Sequence, residues 1–492
     1  MTDDPKTPDF RPEARAPKGF ADRRAGDLAG QRAIIEAVSA VYERYGFQAL
    51  DTGAFEYADA LGKFLPDAER PNAGVFALQD DDDQWMALRY DLTAPLARFA
   101  AENWQALPKP FRRYAVGTVW RNEKPGPGRF REFVQCDADT VGSDRPEADA
   151  EIIAMALEGL QAAGLDRSQA VIRINNRKLL NGLLTGAGVT GEAQRLAVLR
   201  AVDKLDRLGP DGVRYLLGEG RKDESGAFTP GAKLNAKAAE QVLAFTAGGG
   251  GSRGETLDRL ASVIGASPEG DEGLKELSLI AAALNSLGVG EDEATFEPSI
   301  VRGLEYYTGA VFEAELLLET LDEAGKPMRF GSIGGGGRYD DLIARFTGER
   351  TPATGFSFGV SRLAAALAAA GRPSLASRGP VVIIAFDQAG MGEYFAACAQ
   401  LRAAGIAAEV YLGSSGMKAQ MKYADRRNSP AAVILGGDEL AAGTVTIKDL
   451  DLGRKLAEGL TDHGAWAQGR PGQQTVARAD LVGAVRAIVD QA

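Results

Sequence analysis

The stretch 119-VWRNEKPGPGRFREFVQCDAD-139 reads as two strands joined by a turn, with Gly126, Pro127 and Gly128 supplying the reversal. Side chains alternate across a strand, so Arg121 and Glu123 share one face before the turn. After it, Arg129 and Arg131 share a face, as do Phe133 and Gln135. A guanidinium set into a sheet is costly unless an anion meets it, and a phosphate is the natural partner because Arg grips it bidentately. Read alone, the segment fits an ordinary hairpin with surface arginines equally well.

Working outward, 26-GDLAGQRAIIEAVSAVYERYGF-47 places Ile34, Val38, Val41, Tyr42 and Tyr45 at helical spacing, and Gly46 ends the helix. Strand-like runs follow at VFALQ, WMALRY and RRYAVGTVWRN. The acidic run Asp80 to Asp83 reads as a solvated hairpin turn, since no further ligands nearby complete a metal site. AVIRINN is a buried strand, and about Asn176 to Leu287 is helix-rich. TAGGGGSRGE lacks the preceding strand and GK[ST] of a phosphate loop, which makes it a linker or helix break.

The stretch 299-SIVRGLEYYTGAVFE-313 reads as an extended segment entering a core, carrying Arg302, Tyr306 and Tyr307 beyond what packing needs. In 331-GSIGGGGRYDDL-342 the glycine spacing is not that of a dinucleotide fingerprint. Gly334 to Gly337 instead suit a flat group pressed against bare backbone. Arg362, in GFSFGVSRL, lies where a strand meets a helix, facing an open site or held in a structural ion pair. Beyond Pro380, strand and helix patterns alternate, which predicts a small α/β domain with a largely parallel sheet.

A chain of 492 residues suits about two to four domains. Its 45% apolar and 25% charged content is that of a globular protein. No apolar run approaches the roughly 18 residues of a membrane span, and the polar, proline-rich start lacks a signal-peptide core. Cys136 and Cys398 offer neither a metal spacing nor a disulfide framework, so the cytoplasm is the expected compartment. A net charge of −12 argues against indiscriminate binding to DNA or RNA. The region from Pro380 to Ala492, with 11 Lys+Arg and 12 Asp+Glu, is close to neutral. The single histidine, His463, sits in a loop-like stretch, and neither a catalytic triad nor a cysteine nucleophile is supported. Chemistry must therefore rest on Arg, Asp, Glu, Gln and Tyr, by positioning and charge stabilisation.

Taken together, LRYDLTAP, WRNE…GRFREFVQCDAD, VRGLEYYTG, GGGGRYDDL and GFSFGVSRL, in this order, resemble the histidyl branch of the class II aminoacyl-tRNA synthetases. The likeness runs from about Pro17 to the end. It implies an α+β catalytic domain with a mixed, mainly antiparallel sheet, a helical insertion, and a C-terminal α/β anticodon-binding domain. The corresponding boundaries are 1–175 and 291–372 for the two parts of the catalytic domain, 176–290 for the insertion and 380–492 for the last domain.

The resemblance also implies ATP bound in a bent form. Arg121 would meet the α-phosphate, Glu123 the adenine edge, and Arg129 and Arg362 the outer phosphates, with Mg²⁺ offsetting charge. Arg302 would lie between the substrate carboxylate and the α-phosphate. Asp91 and Thr93 would bind the α-amino group of L-histidine, with Gln135 beside its carboxylate and amino group. Asp139 and Tyr307 would read the imidazole nitrogens, and Tyr306 would line the pocket. Lys418, Lys422 and Arg426, spaced four apart on one helix face, read as a solvated face or, in this family, as a contact for tRNA(His). A homodimer and a reaction through histidyl-adenylate are implied. The competing expectation is a catalytically inactive, histidine-sensing regulatory relative.

Overall fold

The computed structural model describes residues 12–61, 74–126, 130–222, 226, 228–301, 306–318, 320–321, 327–328, 330–370, 378–457 and 472–490. Arg129, Arg302 and His463 lie outside the described residues. The chain divides into two compact units, Met1–Leu375 and Ala376–Ala492.

In the first unit, α1 (Ala25–Arg44) leads into β1 (Gln48–Ala49). Its residues Ile34, Val38, Val41 and Tyr42 form one buried stripe. Gly46 stops the helix at φ +81°, a left-handed conformation that costs other residues a clash. A small sheet of β2 (Phe55–Tyr57), β3 (Ala77–Gln79) and β4 (Trp85–Leu88), with the single turn α2 (Ala58–Leu61), precedes α3 (Thr93–Asn103). Between β3 and β4, Asp80 Oδ1 accepts from the Asp82 and Gln84 amides, which makes the acidic run a hairpin turn.

The long antiparallel pair β5 (Phe111–Trp120) and β6 (Glu132–Val141) follows, then α4 (Pro146–Ala162) and β7 (Ala170–Asn176). Pro146 and the acids Glu147 and Asp149 suit the first turn of α4, where N–H groups have no helical acceptors. Next come α5 (Arg177–Gly186), α6 (Glu192–Val202), α7 (Leu205–Leu217), the hairpin β8 (Gly220–Lys222) and β9 (Phe228–Pro230), α8 (Ala236–Thr246), α9 (Arg253–Ile264) and α10 (Pro268–Ser286). The TAGGGGSRGE run bridges α8 and α9 as a helix break, with Ser252 and Glu255 forming a capping box for α9.

The unit closes with β10 (Ala294–Phe296), β11 (Ala310–Leu316), the short pair β12 (Thr320–Leu321) and β13 (Pro327–Met328), β14 (Ser332–Arg338), α11 (Ala344–Thr347), β15 (Ala353–Gly359) and α12 (Val360–Ala369). The extended reading of residues 299–313 holds only from Ala310 onward. Upstream, the Ser299 and Ile300 amides turn back onto Glu297, and the Thr308 amide bonds to the Arg338 carbonyl at 2.8 Å. Tyr306 and Tyr307 therefore stand on the approach to a strand rather than within one.

The main sheet runs β1-β5-β6-β15-β14-β11-β7-β10. Its two edge pairs are parallel and the pairs between them antiparallel, as expected for a mixed, mainly antiparallel sheet. One face packs on α1, α4 and α12, whose Val38, Tyr42, Ile153 and Leu363 share a core with Cys136, Ala138 and Phe358. The alternation of β6 then turns Gln135, Asp137 and Asp139 to the other face.

The second unit holds β16 (Val381–Ile384), α13 (Met391–Ala403), β17 (Ala408–Val410), α14 (Met417–Arg426), β18 (Ala431–Ile434), α15 (Gly437–Ala442), β19 (Thr444–Asp449), α16 (Leu450–Ala457), β20 (Gln473–Ala477) and α17 (Leu481–Val489). Its sheet, β17-β16-β18-β19-β20, is evenly mixed rather than largely parallel. Only β16 pairs parallel with its neighbours; β18-β19 and β19-β20 are antiparallel. No helix among the described residues is long and apolar enough to cross a membrane.

Candidate active site

The face of the main sheet opposite α1, α4 and α12, covered at one end by α3, forms a cleft of about 470 Å³. It gathers Asp91, Thr93, Arg121, Glu123, Gln135, Asp139, Tyr306, Tyr307 and Arg362, which the sequence scatters over more than half the chain. Its floor is the glycine run of β14 beside Gly355 and Ser357 of β15. A Cβ at Gly336 would drive into the Gly355 carbonyl, so the bare backbone is required by strand packing as well as by any flat ligand.

Arg121 follows directly on β5, its amide still paired with the Arg131 carbonyl at 2.9 Å. Its guanidinium lies over the Tyr90 ring at 4.4 Å and the Phe133 ring at 5.1 Å. Its Nε donates to the Tyr90 carbonyl at 3.3 Å. Stacked this way the cation is fixed in direction and needs no carboxylate that would compete with a phosphate. Tyr90 Oη donates to Glu123 Oε1 at 3.2 Å, so one ring orients both an arginine and an acid. Arg362 stands in the first turn of α12 and donates to the Phe330 carbonyl.

The opposite end of the cleft is rich in acceptors. Asp91 Oδ1 receives the Thr93 and Ala94 amides at the start of α3, at 3.2 and 2.9 Å. Gln135 Nε2 donates to Ser357 Oγ at 2.8 Å, and that serine is also the hydrogen-bond partner of Asp137. Asp139 accepts from Tyr339 Oη on Oδ1. Its Oδ2 lies 3.0 Å from Arg113 Nη2, which donates one of its two hydrogens to the Leu92 carbonyl 2.8 Å away. The contact at Oδ2 is an ion pair without an aligned hydrogen bond. Asp91 Oδ2, Gln135 Oε1, Asp137 Oδ1 and Asp139 Oδ2 are all buried, line this cleft and receive no hydrogen bond from the protein. Leaving four such atoms unmet is expensive, and it marks where a ligand rich in N–H groups belongs.

Burial raises the pKa of Asp91 and of Asp139, with nearby arginines opposing the shift. Burial pushes Asp137 up to about 8, opposed by Arg113 and reinforced by Asp139. Burial, with the charges of Asp91, Asp139 and Asp137, also keeps Tyr307 well above the ordinary phenol range, which leaves it an O–H donor at any working pH. Tyr306 packs edge-on against Tyr307 at 4.9 Å and against Tyr339 at 5.8 Å, and it is a hydrogen-bond partner of Thr93 and Tyr307.

Arg113, Asp137, Ser357 and Tyr339 were not foreseen from the sequence. The alternation in QCDAD already places Asp137 on the face of Gln135 and Asp139. Arg113 emerges only from strand register, lying directly opposite Asp139. In the second unit, Lys418, Lys422 and Arg426 are exposed on α14, while Gln420 and Ala424 are buried. Among the described residues, no group of three His, Cys, Asp or Glu side chains could hold a metal ion.

Comparison with known proteins agrees with this geometry. A family model described as histidyl-tRNA synthetase matches residues 19–363, and one described as anticodon binding domain matches residues 380–488. Histidine–tRNA ligase of Caulobacter vibrioides is 76% identical over 99% of this chain and 100% of its own length. That of Cereibacter sphaeroides is 54% identical over 97% of this chain and 98% of its own. The crystal structure of histidyl-tRNA synthetase from Nostoc sp. PCC 7120 superposes with a TM-score of 0.72 at 28% identity, covering 97% of this chain and 100% of that one. The chain belongs to the histidyl-tRNA synthetase family.

Proposed function

We infer that the protein activates L-histidine with ATP and passes the histidyl group to the 3′ end of tRNA(His). The observation that carries this reading is the joint lining of one cleft. Arg121, stacked on Tyr90 and Phe133, and Arg362 stand with an acceptor-rich pocket bounded by two neutral phenols. An anion-binding end and an N–H-binding end in one cavity suit an amino acid beside a triphosphate.

In this reading Arg121 holds the α-phosphate, Glu123 the adenine edge, and Arg362 and Arg129 the outer phosphates. Asp91, Thr93 and Gln135 hold the α-amino end. Asp139 accepts the ring N–H, and Tyr307 donates to the other ring nitrogen. An apolar amino acid would leave both groups unpaired and is excluded on that ground. Arg302 is assigned to the junction of carboxylate and α-phosphate, where a fixed cation offsets the repulsion of one anion attacking another. Mg²⁺ comes with ATP as part of the substrate, and Glu313, a carboxylate on the cleft wall, fits its coordination sphere. By the same family reading the enzyme is a cytoplasmic homodimer. The four-part division of the chain proposed from sequence, with residues 176–290 as an insertion, also remains part of this reading.

A histidine-sensing regulatory role is disfavoured, because both described phosphate-facing arginines are retained and residues 380–488 match an anticodon-binding domain. Pyrophosphate exchange tests the assignment. Exchange should require histidine, and Arg302→Ala should abolish it while histidine still binds. Near-normal exchange in that variant would refute the role given to Arg302.

A further inference from the structure

We propose that Asp137 is a substrate-binding residue, its Oδ1 accepting one N–H of the histidine α-ammonium. This rests on the reading of the cleft as the histidine site and adds a residue to it. The argument begins with a count of donors. An ammonium offers three N–H groups and a neutral imidazole one. With Glu313 assigned to the metal that accompanies ATP, Asp91 Oδ2, Gln135 Oε1, Asp137 Oδ1 and Asp139 Oδ2 are four buried acceptor oxygens at the amino-acid end of the cleft that no described protein group supplies with a hydrogen. With Asp139 and Tyr307 on the ring, three acceptors remain for three ammonium hydrogens.

Placement agrees with the count. Asp137 lies between Gln135 and Asp139 on the same face of β6, about 7 Å along the strand from each. It thus stands between the end assigned to the amine and the end assigned to the ring. The Asp91 charge acts on Asp137 and on Tyr307, so the opposite wall is within electrostatic reach. Asp137 is only 1% exposed and lines the cleft, with Ser357 bonded to its carboxyl and Oδ1 receiving no hydrogen from the protein. Arg113, the cation of this region, pairs with Asp139 and the Leu92 carbonyl and acts on Asp137 through its charge alone. Burial pushes Asp137 up to about 8, a cost that an arriving ammonium would relieve.

Calorimetric titration of the full-length enzyme and of Asp137→Asn tests the assignment with three ligands. These are L-histidine, L-histidinol, which keeps the ammonium, and 3-(imidazol-4-yl)propionate, which lacks it. Histidine and histidinol should weaken about tenfold or more in the variant. The amine-free ligand and ATP should stay within twofold. Parallel weakening of the amine-free ligand, unchanged binding of histidine, or unchanged binding of histidinol would each overturn the proposal. Asp137→Ala supplies the same affinity ratio should Asp137→Asn fold poorly. Asp91→Asn separates the two levels of argument. If it too leaves histidine binding intact, the reading of the cleft has failed; if it alone weakens histidine, only the role of Asp137 has.

Discussion

The two sheets of this protein are built to opposite rules. In the five-stranded sheet, Val381 and Ile383 point into one apolar core and Val382 and Ile384 into another, so β16 is buried on both faces. In the eight-stranded sheet, β6 sends Cys136 and Ala138 to the helices and Gln135, Asp137 and Asp139 to a cleft. A sheet covered twice has satisfied its side chains and has no face left for chemistry. A sheet with one face only partly covered can carry polar groups whose partners must come from outside, at a standing cost in stability. The catalytic role is therefore visible in what the larger sheet leaves unmet.

The sharpest way to break this contrast is to remove a cation from the bare face. Arg121→Ala should lower histidine-dependent pyrophosphate exchange by about 10³-fold or more, since the guanidinium is preorganised by stacking on Tyr90 and Phe133. An exchange rate within tenfold of wild type would mean that this face is no more catalytic than its counterpart.

A smaller lesion tests the shape of the pocket floor. A Cβ at Gly355 would meet the Asp139 carboxylate and approach the Ala138 carbonyl to 2.8 Å. Gly355→Ala should raise KM for histidine about 10- to 100-fold while KM for ATP moves far less. Equal movement of the two constants would indicate a general disturbance of the sheet instead.

The cost of the bare face is measurable through pH. Asp137 is faced by Arg113 from β5, Asp139 from its own strand, Ser357 from β15 and Asp91 from the loop before α3. Its folded value of about 8 lies above the ordinary carboxyl value, so the folded state holds a proton that the unfolded state has released. Stability is thus withdrawn as pH rises from the ordinary carboxyl range towards 8, and is unaffected below it. Asp137→Asn should raise Tm by a few degrees at pH 7.5, with the gain shrinking towards pH 4. The same substitution should weaken histidine binding, so function and stability move in opposite directions. A pH-independent melting difference would contradict the unpaired, buried state of this acid.

How much of this was legible in the sequence follows the same division. Elements whose apolar residues repeat with a clear period, such as α1 and AVIRINN, could be read directly, because a stripe or a buried run reflects contact with one core. Arg121 and Glu123 line the same cleft although both lie beyond the end of β5, where Tyr90 rather than strand alternation sets them. Tyr306 and Tyr307 were set in an extended run because Val311 and Phe312 follow them. Their turn depends on the amides of Thr308 and Arg177, which bond to Arg338 and Gly309 across the fold. The Arg113–Asp139 pairing and the Tyr339–Asp139 bond depend on register and long-range packing, which no local pattern encodes. Asp137 was overlooked despite sitting in plain alternation, since an acid among acids carries no signal until burial is known.

The doubly covered sheet makes its contribution from outside, through its helices, and there the expected effects are smallest. On α14 the buried Gln420 and Ala424 fix the helix against its sheet, with Gln420 Nε2 donating to the Ala385 carbonyl at 2.6 Å. Lys418, Lys422 and Arg426 are thereby held on the exposed side, while neighbouring Arg427 is engaged by Glu409 at 3.3 Å. Exposed lysines of this kind act on a polyanion by displacing counterions, not by shaping a pocket. Lys422→Ala should therefore raise KM for tRNA(His) about two- to fivefold near physiological salt, and flatten the salt dependence of charging by about one unit of slope. Histidine-dependent pyrophosphate exchange, which needs no tRNA, should be unchanged. If charging keeps its full salt slope in this variant, α14 is only a solvated face; if exchange falls as well, the two sheets are not separable in function as their construction implies.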